Sequence, residues 1–145
     1  IGRTHFARFL VERGHAKDVG GVFKRYLARG KPGYVPHQWA GLGEAVTWIR
    51  AAGGRAVVAH PGRYALSRQE LRRFFGEFKD AGGEAIEVVT GSHTRDQFGE
   101  FAAVAREMEF LASRGSDFHS PEEGGFDLGA IPALPDDLTP VWHDW

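Results

Sequence analysis

Cysteine is absent from the 145 residues, and methionine occurs once. The first absence excludes disulfides, thiolate metal sites and a cysteine nucleophile, so any metal must be held by His, Asp and Glu. No apolar run approaches the roughly 18 residues that a membrane-crossing helix needs, and no charged-then-apolar leader opens the chain. A GxSxG elbow is also missing, and Ser116, Asp117 and His119 sit too close in sequence for a serine triad to form readily. These absences lead to the expectation of a folded, cytoplasmic domain with no membrane role and no evident obligate protein partner. With 42% hydrophobic and 26% charged residues, the chain is long enough for one core.

A net charge of −1 hides an uneven distribution. Residues 1–31 hold Arg3, Arg8, Arg13, Lys17, Lys24, Arg25, Arg29 and Lys31 against only Glu12 and Asp18, a local net of +6. A basic segment joined to an acidic body suits an anionic substrate gripped by one part and processed by the other; solvated helix faces account for the same charges equally well.

Two short helices are expected first. Thr4 could cap one running through Phe6, Phe9, Leu10 and Val11 to Gly14, and Asp18 another running through Val22, Phe23, Tyr26 and Leu27 to Gly30. Lys31–Pro36 then reads as an extended connector, dividing a helical segment and connector (1–36) from the remainder (37–145). From there helices alternate with apolar strands. A helix around Glu44–Ala52 precedes a strand over Arg55–His60. Capping boxes at Ser67–Glu70 and Thr94–Gln97 open two further helices, each followed by a strand, over Glu84–Val89 and Phe110–Ser113 respectively. That spacing requires crossover helices between parallel neighbours, hence an α/β fold with a parallel sheet. Three strands do not complete a barrel or an open sheet, so the chain reads as part of a larger fold.

Each strand ends in chemically capable residues: His60-Pro61-Gly62-Arg63-Tyr64, then Thr90-Gly91-Ser92-His93, then Gly115-Ser116-Asp117-Phe118-His119. Parallel α/β folds gather reactive groups at this end of the sheet. If the chain stays extended, Asp117 and His119 point the same way and reach one metal ion together, with His60 two strands earlier on the same edge. Two imidazoles and a carboxylate suit zinc, manganese or iron(II) better than magnesium or calcium. Arg63 has the fork geometry for a phosphate, and His5 beside Arg3 lies at a helix N-terminus that favours anions. Glu87, alternating within an apolar strand, faces either the active site or a buried partner; His93 is a plausible loop ligand without a motif of its own.

The segments GRTHFARFLVERG, VFKRYLARGKPGYVP, AHPGRY, IEVVTGSHT and GSDFHSP, in this order, resemble the TrpH-type, RNase AM-like branch of the PHP (polymerase and histidinol phosphatase) superfamily. The resemblance covers almost the whole chain. It implies the C-terminal part of a distorted (β/α)7 barrel, preceded by a small helical insertion. It also implies a metal-dependent phosphoesterase acting on nucleotides or short RNA, as a 5′–3′ exoribonuclease or a nucleoside 3′,5′-bisphosphate phosphatase. His60, Asp117 and His119 match metal ligands of a trinuclear centre, for which manganese is favoured over iron(II) or zinc. Arg63, Arg3 and His5 fall at substrate-binding positions. The HxH, TDH-like and PGxE-like motifs with which such enzymes begin do not occur here, so most of the metal cage is missing from these residues. The expectation is a fragment, inactive alone, of a protein that is active at full length; the alternative is a non-catalytic nucleotide- or nucleic-acid-binding module.

Overall fold

The computed structural model describes residues 1–119, 121 and 126–145; Ser120, inside the GSDFHSP segment, lies outside them. The chain divides into two compact units, Ile1–Trp39 and Ala40–Trp145.

In the first unit, α1 spans Arg3–Glu12 and α2 spans Val19–Val22, continuing into a π-helical turn over Phe23–Leu27. Ala7, Val22 and Leu27 form its small core. The α1 cap is Gly2 rather than Thr4, which lies inside the helix, and the His5 side chain reaches back to the cap, its Nδ1 accepting the Gly2 N–H at 3.0 Å. Asp18 caps α2 as expected, its carboxylate accepting the Gly21 N–H at 2.7 Å. The second helix stops at Leu27 instead of reaching Gly30. The Gly20-Gly21 pair weakens α-helical propensity, and the wider turn is closed by the Ala28 N–H donating to Phe23 five residues back, at 2.8 Å.

In the second unit, α3 (Leu42–Ala51), α4 (Arg68–Asp80) and α5 (Arg95–Glu107) alternate with β1 (Val57–Val58), β2 (Ala85–Thr90) and β3 (Leu111–Gly115). The strands form one parallel sheet in the order β1-β2-β3. Both expected capping boxes are present, with Ser67 opening α4 and Thr94 opening α5. The apolar residues of α4 and α5, spaced at three and four, turn toward the sheet. Phe75, Phe78 and Phe101 are buried there with Val46, Val58, Ile86, Val88, Val89 and Phe110. Phe75 makes edge contacts with both Phe101 and Phe110, at 6.4 and 6.0 Å.

Two departures from the expected strands matter for the site. β1 is paired only over Val57–Val58, because the chain turns into a left-handed conformation at His60 (φ 31°, ψ 57°) and leaves the sheet plane. In β2 the register against β3 slips between Glu87, opposite Ser113, and Val89, opposite Arg114. Val88 is the extra residue, a bulge of the kind that re-aims side chains beside functional sites. The outer edge of β3 is covered by residues 139–141: Ala112 donates to Thr139 at 2.9 Å and accepts from Val141 at 2.8 Å.

Candidate active site

The loops leaving β1, β2 and β3 all emerge at the C-terminal edge of the sheet, so the sheet carries His60, Arg63, Ser92, His93, Asp117 and His119 on one side of the second unit. Arg3 and His5 belong to the first unit. There the Arg3 guanidinium lies over the Phe23 ring, 5.7 Å from its centroid, and the His5 Nδ1 is occupied in capping α1.

After β1 the chain makes a tight turn. His60 is left-handed, a conformation that costs a non-glycine residue about 1–3 kcal/mol and persists only where its surroundings enforce it. Pro61–Arg63 follows as a 3₁₀ turn, closed by the Arg63 N–H donating to His60 at 3.0 Å. The His60 ring is half-buried, and its Nδ1, shielded from solvent, has no hydrogen-bond partner among the described residues. An unpartnered buried ring nitrogen is costly unless something binds it.

Glu87, on the central strand, accepts the His60 backbone N–H at 2.6 Å. The two roles open to it from the sequence coincide: it lies beside His60 and Asp117 of the candidate site, and its carboxylate holds the neighbouring loop by its main chain. Burial pushes its pKa up, with the nearby Asp117 charge adding to the effect, while the hydrogen bond from His60 opposes it. Burial likewise raises the pKa of Tyr64, whose hydroxyl donates to Ala59 at 3.0 Å.

His93 is the residue the sequence marked least clearly. It is buried, stacked on Phe101 with centroids 4.6 Å apart, and joined at both ring nitrogens. The Gly62 N–H donates to Nε2 at 2.9 Å, so Nδ1 carries the proton and faces the Val88 carbonyl at 3.2 Å. Val88 is the bulged residue with no partner across in β3, which leaves its carbonyl available. Burial lowers the His93 pKa, consistent with a neutral ring. With both nitrogens engaged, His93 is not free to be a loop ligand.

Asp117 is also left-handed, at φ 53°. The extended segment that would have aimed Asp117 and His119 together therefore does not form: β3 ends at Gly115, and the backbone reverses at Asp117 instead. Asp117 Oδ2 accepts from the Ser92 hydroxyl and from Arg63 at 3.4 Å. His119 is exposed; its Nδ1 lies 2.8 Å from the Asp117 carbonyl oxygen, which can only accept, so the Nε2 lone pair is left outward. Arg63 remains largely exposed, touching Asp117 through one nitrogen only.

These donors suit a divalent cation chemically, and the orphaned His60 nitrogen is the kind of atom a metal would satisfy. Among the described residues, however, no three His, Asp or Glu side chains converge at metal-holding spacing. The chain presents part of a donor set.

No protein-family profile matches the chain. Across 144 residues it is 52% identical to a 3′,5′-nucleoside bisphosphate phosphatase of Chromobacterium violaceum, covering 99% of this chain and 50% of that protein. It is 46% identical to the 5′-3′ exoribonuclease Rnm of Escherichia coli, covering 100% and 49%. The chain is similar to both over nearly its whole length. The likeness bears out the resemblance read from the motifs, and the chain spans about half the length of the curated relatives it matches. A solved Chromobacterium violaceum structure described as an amidohydrolase, with bound sulfate and no metal, superposes at a TM-score of 0.87 with 51% identity, over 98% of this chain and 49% of that one. A Bifidobacterium adolescentis protein described as a candidate metal-dependent phosphoesterase shares the fold at 0.75, with 24% identity over 99% and 48%.

Proposed function

We propose that the protein containing this chain is a divalent-metal-dependent phosphoesterase that hydrolyses phosphate esters of nucleotides or short RNA with activated water. The observation that carries this reading is the His60–Arg63 turn. A strained, left-handed histidine with an unpartnered buried nitrogen lies in the same turn as a phosphate-shaped guanidinium, at a sheet edge that also carries Glu87 and Asp117. The identities to a bisphosphate phosphatase and an exoribonuclease support it.

In this reading His60, Asp117 and His119 hold metal, and the other ligands come from protein outside these 145 residues. When bound, a divalent ion, for which manganese is favoured, would supply a water of lowered pKa and offset phosphoryl charge. The chain's own groups do the positioning. Arg63, held by a single 3.4 Å contact, can exchange Asp117 for a phosphate and grip it through two nitrogens. Ser92 orients the Asp117 carboxylate, and Glu87 the His60 main chain. Arg3 and His5 are assigned to substrate binding, and the basic residues 1–31 to the attraction of anionic groups; among the described residues none of those basic side chains is in an ion pair.

Replacing Asp117 by Ala in the full-length protein tests the assignment. Bound metal, measured by plasma mass spectrometry, and turnover of a nucleoside bisphosphate should fall together. Full metal occupancy with full activity would reduce the segment to an ordinary loop.

A further inference from the structure

Resting on that reading, we infer that His93 is a positioning residue: from the loop after β2 it holds the neighbouring His60–Arg63 turn in the conformation that presents both side chains. Three observations converge on it. The turn adopts a backbone that a histidine avoids, with φ at 31°, so something outside the turn must enforce it. The Gly62 main chain, between the two presenting residues, is held on both sides, its N–H donating to His93 Nε2 at 2.9 Å and its carbonyl accepting from Gln97 Nε2 at 3.3 Å. The approach is close enough to demand glycine, since a Cβ at residue 62 would stand 2.8 Å from the His93 ring and 2.7 Å from Gln97.

The clamp can hold because His93 is itself immobile. Its ring is stacked on Phe101 within the core, its Nδ1–H faces the bulged Val88 carbonyl, and its backbone N–H is tied to Thr90 at 3.0 Å. Gly91, two residues earlier, is tied to the end of β3, donating to Gly115 at 3.1 Å. Ser92 meanwhile hydrogen-bonds Asp117. Two consecutive side chains of the central loop thus brace its two neighbours, Ser92 toward the β3 loop and His93 toward the β1 loop. A bond to main chain transmits position rather than charge, which separates this role from that of a ligand.

The test uses the full-length protein. His93→Phe keeps a ring on Phe101 and removes both polar contacts; His93→Gln restores an acceptor; Val46→Ala, in the α3 core, controls for lost stability alone. His93→Phe should lower kcat/KM by about 10–100-fold, the usual scale for residues that support a site. His93→Gln should recover part of that loss, and Val46→Ala should retain activity below its melting temperature. A crystal structure of His93→Phe should show His60 relaxed out of the left-handed region. Retention of φ near 31° in that variant overturns the inference whatever the kinetics, as does a kcat/KM within about twofold of wild type, or an equal loss in Val46→Ala. Loss of activity in Asp117→Ala but not in His93→Phe removes the clamp and leaves the proposed function standing. Full activity in Asp117→Ala removes the proposed function, while the relaxed His60 backbone would still establish the clamp.

Discussion

Arg63 and Asp117 touch, yet the proposed roles separate them. Arg63→Ala should leave metal content unchanged while raising KM, if the guanidinium grips substrate and transition state alike, or lowering kcat, if it acts as charge develops. Steady-state kinetics beside metal analysis decides between these, and a drop in bound metal would place Arg63 in support of Asp117 instead. His93 supplies a second prediction at this scale. Burial penalises its imidazolium, so the unfolded chain binds the proton better than the folded one. The stability contributed by the neutral ring is complete above the ordinary histidine value of 6.5 and is lost as pH falls toward the lowered native value. The denaturant midpoint should therefore decline as the solution is acidified through this window. His93→Phe should flatten that decline, and an unchanged slope would show that other groups cause it.

At the scale of elements, caps and close approaches dominate. Thr94 accepts the Gln97 N–H at 3.3 Å, and Gln97 returns a bond to the Thr94 N–H at 2.8 Å before reaching across to Gly62. Thr94→Ala should cost about 1 kcal/mol of stability, the usual value for a lost N-cap, read from thermal or urea unfolding. Gly91→Ala should cost more, about 1–3 kcal/mol, because the added methyl would run into the Ser116 carbonyl oxygen, which is backbone and cannot swing aside. Equal costs would mean that the β2 and β3 loops shift easily, contrary to the bracing described. Both caps were legible in the residues alone, since a Thr or Ser three positions before a Gln or Glu is a local signal. The bulge at Val88 was not, because register belongs to the pairing of two strands and leaves no local trace.

For the whole molecule, the incomplete donor set has a direct consequence. The 145-residue chain alone should show little or no phosphatase activity even with added manganese, while the full-length protein turns over; equal rates would make the additional ligands unnecessary. The +6 charge of residues 1–31 leads to a further expectation: raising salt should weaken short RNA more than a mononucleotide, since each phosphate held by Lys or Arg adds to the salt slope. Equal slopes would detach the basic segment from substrate binding.

Helix periods, capping boxes and apolar runs were enough to determine an alternating α/β order, a parallel sheet and the edge at which His60, Arg63 and Asp117 emerge, because these depend on neighbours within a few residues. What Glu87 and His93 do was decided only in three dimensions. Glu87 could face a ligand or a partner until the β1 turn was brought against it, and His93 became a clamp because a bulged carbonyl, a phenylalanine face and a glycine amide from three different segments meet around one ring. The expected alignment of Asp117 with His119 failed for the same reason. It assumed an extended backbone, and the left-handed turn at Asp117, with Ser92 and Arg63 on its carboxylate, replaces that local preference by contacts from distant parts of the chain.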